Sequence, residues 1–357
     1  GFDSPQAAGA FVSLSILDHH PKLIGNYFSA IKAVSEKRPE DKATAIRTVE
    51  ILSVSAESQH SNAQHKISFE EHGESVLIQD FAIAPQGIKT GDDEKWVLCF
   101  WEILFSKYSP WRVSQSSVNK KTFYGGREKI INWSTGGDGM IRPRLDSPAL
   151  EKLGVAISQT RNKAATIYTG QLFLSTLAPV VPHDQDNLST LWEFCSSSDF
   201  RDTVTKISPG LFATNSSILA IPIDEEVWAD KANSRFPNGL PKPYTDDPTQ
   251  WIFHGHPCGS VIWDEKQKWT THGPLRTDDS VLHVAATRLL GYRWPAELDT
   301  NMELADEQRE WVKRCEALAG YADDDGIVCI PPVRGEASAS DRLLNLLAAA
   351  YGDAWSN

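Results

Sequence analysis

The chain has 357 residues, 41% of them apolar and 23% charged, with a net charge of −12. That length carries two or three domains and a large buried core, and the acidic balance excludes a protein coated in nucleic acid over its whole surface. No apolar run approaches the ~20 residues of a membrane-crossing helix, so no membrane partner is expected.

Apolar and polar residues alternate early, at Val12, Leu14 and Ile16, which predicts a strand over residues 11–17. Because this strand pattern begins so soon after Gly1, the chain is expected to be a piece of a longer protein. Residues 31–47 are charged and weakly amphipathic. Short strands are expected over 49–54, 66–69 and 76–82. His60, His65 and His72 lie in a polar loop without ligand-like spacing. A glycine turn at Gly87 and Gly91 leads into an apolar strand over 96–105. A polar loop follows over 109–121, then a strand over 129–133. Gly136, Gly137 and Gly139 form a turn that lacks the Lys-Ser/Thr pair of a phosphate loop. Residues 153–158 and 165–168 read as paired strands with Arg161, Asn162 and Lys163 at their tip. A further strand is expected over 172–181.

Asp186 or Asn187 then caps a helix whose stripe is Leu188, Leu191, Trp192 and Cys195. A second helix carries Phe200, Val204 and Ile207. Thr214 leads into an expected strand over 218–223. Residues 226–280 are rich in loop formers. His254, His256 and Cys258 could be half of a metal site, but Gly255 and Pro257 suit a rigid turn equally well and no second pair follows. Helices are expected over 281–290 and 306–319, a strand over 327–330, and a last helix capped by Ser340. The five cysteines, Cys99, Cys195, Cys258, Cys315 and Cys329, are odd in number and widely spaced. They read as reduced thiols of a cytoplasmic protein.

Charge is uneven along the chain. Residues 107–163 hold eleven Lys/Arg against four Asp/Glu, a net of +7, whereas residues 301–357 hold five against eleven, a net of −6. A basic segment within an acidic chain is the pattern of a localised anion-binding face. Within it, basic and aromatic residues alternate with glycines: Lys120, Lys121, Phe123, Tyr124, Gly125, Gly126, Arg127. That mixture suits a phosphate backbone and stacked bases; an ordinary surface with turn chemistry has the same composition.

Catalytic constellations are missing. There is no Gly-x-Ser-x-Gly elbow, Walker loop, His-Glu-x-x-His or Rossmann glycine fingerprint. Cys329-Ile330-Pro331-Pro332-Val333 is a near miss for the Asn/Asp-Pro-Pro-aromatic motif that holds a flipped base in amino-methylating enzymes. Ile330 and Val333 stand where an acid or amide and an aromatic are needed.

Three blocks in order, Gly87-Ile88-Lys89-Thr90-Gly91-Asp92-Asp93-Glu94-Lys95-Trp96, then Phe100-Trp101-Glu102, then Lys121-Thr122-Phe123-Tyr124-Gly125-Gly126-Arg127, resemble the target-recognition region of large adenine-N6 DNA methyltransferases. The closest groups are the BREX (PglX-like) and DISARM phage-defence methylases and fused type II restriction-modification enzymes. The strands over 155–181, the helix pair from Leu188 and the Ile221-Pro222-Ile223 close fit the same pattern. Asp93 replaces the family's Asn, Trp96-Val97-Leu98 replaces Phe-x-Arg, and Gly126 replaces the Asn of the turn. The resemblance implies an α/β (α+β) chain. It would begin with the tail of a Rossmann-like catalytic methyltransferase domain (1–30) and connecting strands (31–84). A mixed α/β target-recognition domain (85–225) and a loop-rich, mostly helical C-terminal extension (226–357) would follow. S-adenosylmethionine would serve the full enzyme from a site outside these residues, and the chain alone would be inactive.

On this reading double-stranded DNA is the partner. Lys107, Arg112, Lys120, Lys121, Arg127 and Lys129 would contact phosphates. Arg161, Asn162 and Lys163 would reach base edges, and Tyr124 would stack or wedge near the flipped base. Each is also an ordinary surface residue by type. The alternative is a module that docks other defence-system subunits through its acidic region and binds no DNA.

Overall fold

The structure, a computed structural model, describes residues 27–30, 38–48, 50–55, 76–103, 110–160, 162–208 and 212–356. The strands expected over 11–17 and 66–69, and with them the Rossmann-like tail, lie outside the described residues, as do His60, His65 and His72. The described chain is mixed α/β, with several small sheets and eleven helices. No described helix is long and apolar enough to cross a membrane.

Strand β1 (Tyr27–Ala30) pairs antiparallel with β2 (Leu52–Ser55), and helix α1 (Pro39–Thr48) connects them. The strand expected over 76–82 is a helical turn, α2 (Ile78–Phe81), followed by a short β3 (Ala82–Ile83). The Asp80 carboxylate accepts from Leu77 N at 2.7 Å and closes that turn. The strand expected over 96–105 is likewise interrupted. Asp92 caps α3 (Asp93–Trp96), only three residues extend as β4 (Val97–Cys99), and Glu102 folds back onto Cys99 N at 2.5 Å to make a 3-10 turn.

Two four-stranded sheets form the centre. The first joins β4 to β6 (Lys129–Asn132), β5 (Trp111–Gln115) and β9 (Leu172–Phe173), in that order. The second runs from β3 to β10 (Leu177–Pro182), then β7 (Leu153–Ser158) and β8 (Ala165–Thr169). The β7–β8 pairing, Leu153 opposite Thr169 through Ile157 opposite Ala165, realises the expected strand pair, with Asn162 and Lys163 between the strands. The expected strand over 172–181 is split, and its halves enter different sheets. Ile88 N donates to Phe173 O at 2.9 Å, tying the sheets near the Gly87 turn. A side chain at Gly87 would collide with the Leu174 backbone, so only glycine allows that approach.

Helices α4 (Leu188–Cys195) and α5 (Ser198–Ile207) pack their apolar stripes as their spacing predicts, with Leu191, Trp192, Phe200 and Val204 buried. Of the segment read as a strand over 218–223, Pro222 makes an isolated antiparallel bridge to Leu77, while Ile218 and Leu219 belong to helix α6 (Asn215–Leu219). Thr214 caps it by accepting from Ser217 N at 3.1 Å. Its β-branched Ile218 suits either state, and the cap decides. The loop-rich stretch holds helix α7 (Glu225–Arg235), capped by Asp224, and a hairpin of β11 (Val261–Asp264) with β12 (Trp269–His272). Helices α8 (Ser280–Leu289), α9 (Pro295–Leu298), α10 (Asp306–Arg314) and α11 (Ala339–Tyr351) complete the fold, with a 3-10 turn Cys315–Tyr321 after α10. Residues 327–330 form no strand, and Ser338, not Ser340, caps α11.

One buried cluster runs from Ile78 to Val312. At its heart Phe123 stacks on Trp192 (5.3 Å between ring centroids) and meets Trp263 at 5.5 Å and Phe236 at 6.1 Å. Residues before and after 225 therefore share one core.

Candidate nucleic-acid interface

The segment from β5 to β6 sets out the candidate residues. Ser116 N donates to Gly126 O at 2.6 Å, and Val118 is held by Ser158 Oγ, which accepts from Val118 N and donates to Val118 O, both at 2.8 Å. Thr122 N then donates to Ala165 O (3.2 Å) and Ile167 N to Phe123 O (2.8 Å), so residues 122–123 run along β8. The loop of Asn119, Lys120 and Lys121 is thereby fixed beside the β7–β8 tip. Asn162 Nδ2 crosses to Asn119 O at 2.8 Å. Two segments some forty residues apart thus form one edge, with Lys120, Lys121 and Asn162 exposed along it.

Electrostatics mark the same edge. Lys121 Nζ lies 5.6 Å from the Trp192 ring centroid. Partial burial lowers its pKa, and Arg235 and Arg201 lower it further, against an opposing pull from Glu193. Arg235 is itself paired to Glu193 at 3.2 Å and Glu265 at 3.8 Å. Arg201, exposed on α5, has no such pair among the described residues. The sequence offered no signal for Arg201, because nothing local links it to a loop eighty residues earlier.

Other expected residues fall elsewhere. Arg127 does not face solvent: it is 1% exposed, and this corrects the expectation of a phosphate contact. Its guanidinium lies 5.2 Å from the Tyr124 ring and 5.1 Å from the Trp251 ring, and Nη2 donates to Ile167 O at 3.2 Å. Its backbone is clamped as well: Arg127 N donates to Gln250 Oε1 (2.6 Å) and Arg127 O accepts from Trp251 N (2.9 Å). Burial pulls its pKa down to about 10, which leaves it charged at neutrality.

Tyr124 is also buried, with its hydroxyl donating to Pro241 O, so it has no free face to stack on a base, a second correction. Lys163 is buried behind the hairpin tip, where Nζ reaches Gln159 O at 3.4 Å and burial lowers its pKa; it does not reach outward to a base edge. Arg112 is exposed on the other sheet, and Lys129 there donates to Cys99 Sγ at 3.1 Å. Lys107 and Arg161 lie outside the described residues.

Among the described residues no group of three His, Cys, Asp or Glu side chains is placed to hold a metal ion. His254 Nδ1 is already taken by His256 N at 3.0 Å. Ile330 is 82% exposed and its side chain carries no amide or acid, so the segment around Pro331 and Pro332 does not fit a flipped target base. No protein-family model matches the chain, and no curated protein matches it.

Proposed function

We propose that this chain is the DNA-recognition part of an S-adenosylmethionine-dependent adenine-N6 DNA methyltransferase, of the restriction-modification or phage-defence kind that its motifs resemble. Double-stranded DNA would lie across the edge made by Lys120, Lys121 and Asn162, with Arg201 flanking it. The observation that carries this reading is the Asn162–Asn119 hydrogen bond. It joins the two segments that charge and motif single out separately. The lysines supply phosphate contacts that fix register. Asn162 Oδ1 is an acceptor suited to an adenine or cytosine amino group in the major groove. Cofactor binding and methyl transfer belong to segments that carry the motifs absent here.

Fluorescence polarisation with a short duplex tests the proposal. Binding should weaken steeply between about 50 and about 200 mM salt, with a log–log slope of about −0.9 per phosphate contacted. Lys120→Glu with Lys121→Glu should cost about tenfold or more at the lower salt and make the slope shallower by about 2. A duplex affinity that ignores both salt and the double variant sinks the reading.

The second reading, docking of other subunits by the acidic C-terminal part, has its own observation. Ile327 and Ile330 are 66% and 82% exposed, close in sequence to Asp323, Asp324 and Asp325. Partner capture that survives high salt, with no duplex binding, would favour it.

A further inference from the structure

Away from the basic edge, a hollow of about 370 Å³ opens between the end of α10 with its 3-10 turn and the last turns of α11. Trp311, Leu275, Leu318 and Ala349 give it apolar walls, and Arg314 and His256 bring the polar groups. Its volume falls in the range of sites that hold one small organic molecule.

Two features give it chemical character. Arg314 lies over the Trp311 ring, 4.4 Å from its centroid, and forms no ion pair among the described residues. A guanidinium held on an aromatic face without a carboxylate is poised for an anion. His256 is almost wholly buried, with its ring 4.7 Å from that of Trp311 and Nδ1 3.4 Å from Cys258 Sγ. Burial, then Arg288 and Arg314, keeps the imidazole neutral, so it adds hydrogen-bonding capacity and no second charge. Cys258 donates to Ala350 O at 3.1 Å and its thiol is pushed up to about 11, which leaves it unreactive.

The walls are fixed before any ligand arrives. Trp311 Nε1 donates to Ser260 O at 3.1 Å, and the Tyr351 hydroxyl donates to Arg276 O. We propose that this hollow binds a small planar organic anion, an aromatic ring bearing one carboxylate. The ring lies against Leu275 and Ala349, the more exposed apolar walls, and the carboxylate meets Arg314.

Calorimetric titration of the 357-residue chain with 1-naphthoate, and with neutral 1-naphthamide as control, tests this. One saturable site is expected, with naphthoate bound about tenfold tighter than naphthamide. Arg314→Ala should erase that preference and leave naphthamide binding unchanged. Ala349→Trp, at an exposed rim position, should fill the hollow and abolish both. Circular dichroism melts establish that the variants are folded. Should a variant fail to fold, the naphthoate-to-naphthamide ratio on the unaltered chain decides alone. Equal affinity for the two probes, no saturable binding, or indifference to either folded variant overturns the proposal.

Discussion

Lys120 and Lys121 stand exposed on the loop that the β7–β8 tip braces, while Arg127, a few residues later, is among the largest fully buried side chains of the protein. In the sequence the two sites look alike: a cation among aromatics and glycines. Their fates diverge because of what lies opposite. Residues 119–121 have the short polar tip of a hairpin beside them. Arg127 has Trp251, Gln250 and the Ile167 carbonyl, and the first two come from more than a hundred residues downstream. A basic, aromatic and glycine-rich stretch therefore holds two different devices in series, an outward grip and an inward rivet.

The sharpest way to break this comparison is Arg127→Ala. It removes a buried side chain packed between two rings and should cost about 3 kcal/mol or more of unfolding free energy, read from urea midpoints. Arg127→Met, which keeps the volume, should cost clearly less. Were the alanine variant as stable as the parent and weakened only in DNA binding, the rivet would be a grip after all.

Gly126→Ala comes next. Gly126 has φ +69°, and a Cβ there would overlap the Ser116 carbonyl oxygen. About 2 kcal/mol of destabilisation is expected in the same assay.

His256 extends the buried side to a titrating group. Its pKa is lowered from 6.5 to about 3. Below pH 6.5 the unfolded chain takes up a proton that the folded chain refuses. Its contribution is thus complete above pH 6.5 and is lost as pH falls through that window, at up to about 1.4 kcal/mol per unit. His256→Asn should therefore lessen the loss of stability between pH 7 and pH 5 by about 2 kcal/mol, measured as a difference of differences against the parent.

The smallest effect belongs to the exposed side. Lys120→Ala should shift unfolding by less than about 0.5 kcal/mol while weakening duplex binding. A larger stability loss there would erase the contrast.

Much of the region around the edge was legible from local pattern. The β7–β8 pair declared itself by two apolar runs around a polar tip, and α4 and α5 by stripes at helical spacing. What stayed hidden depends on distant partners. Strand β5, with Trp111, Arg112, Val113, Ser114 and Gln115, looks like a polar loop until β6 supplies its ladder and Gln115 Nε2 reaches Gly125 O at 2.7 Å. Helix α7 buries only Trp228 and Ala232 of its eleven residues, too thin a stripe to read. For the candidate interface, residue types pointed to Lys120, Lys121 and Asn162. The same types pointed equally to Arg127 and Tyr124, because burial is decided by residues 241–251 and not by their own neighbours in sequence.

The Arg127 rivet also constrains the order in which this protein can be made. A ribosome adds roughly 5–20 residues per second, so on the order of ten seconds pass between the emergence of Arg127 and that of Trp251, the ring that closes over it. Throughout that interval the Arg127 guanidinium lacks the Trp251 ring and Phe123 lacks Trp263. Nascent chains stalled before residue 250 should accordingly be protease-sensitive around residues 116–128, and chains stalled well beyond it should be resistant.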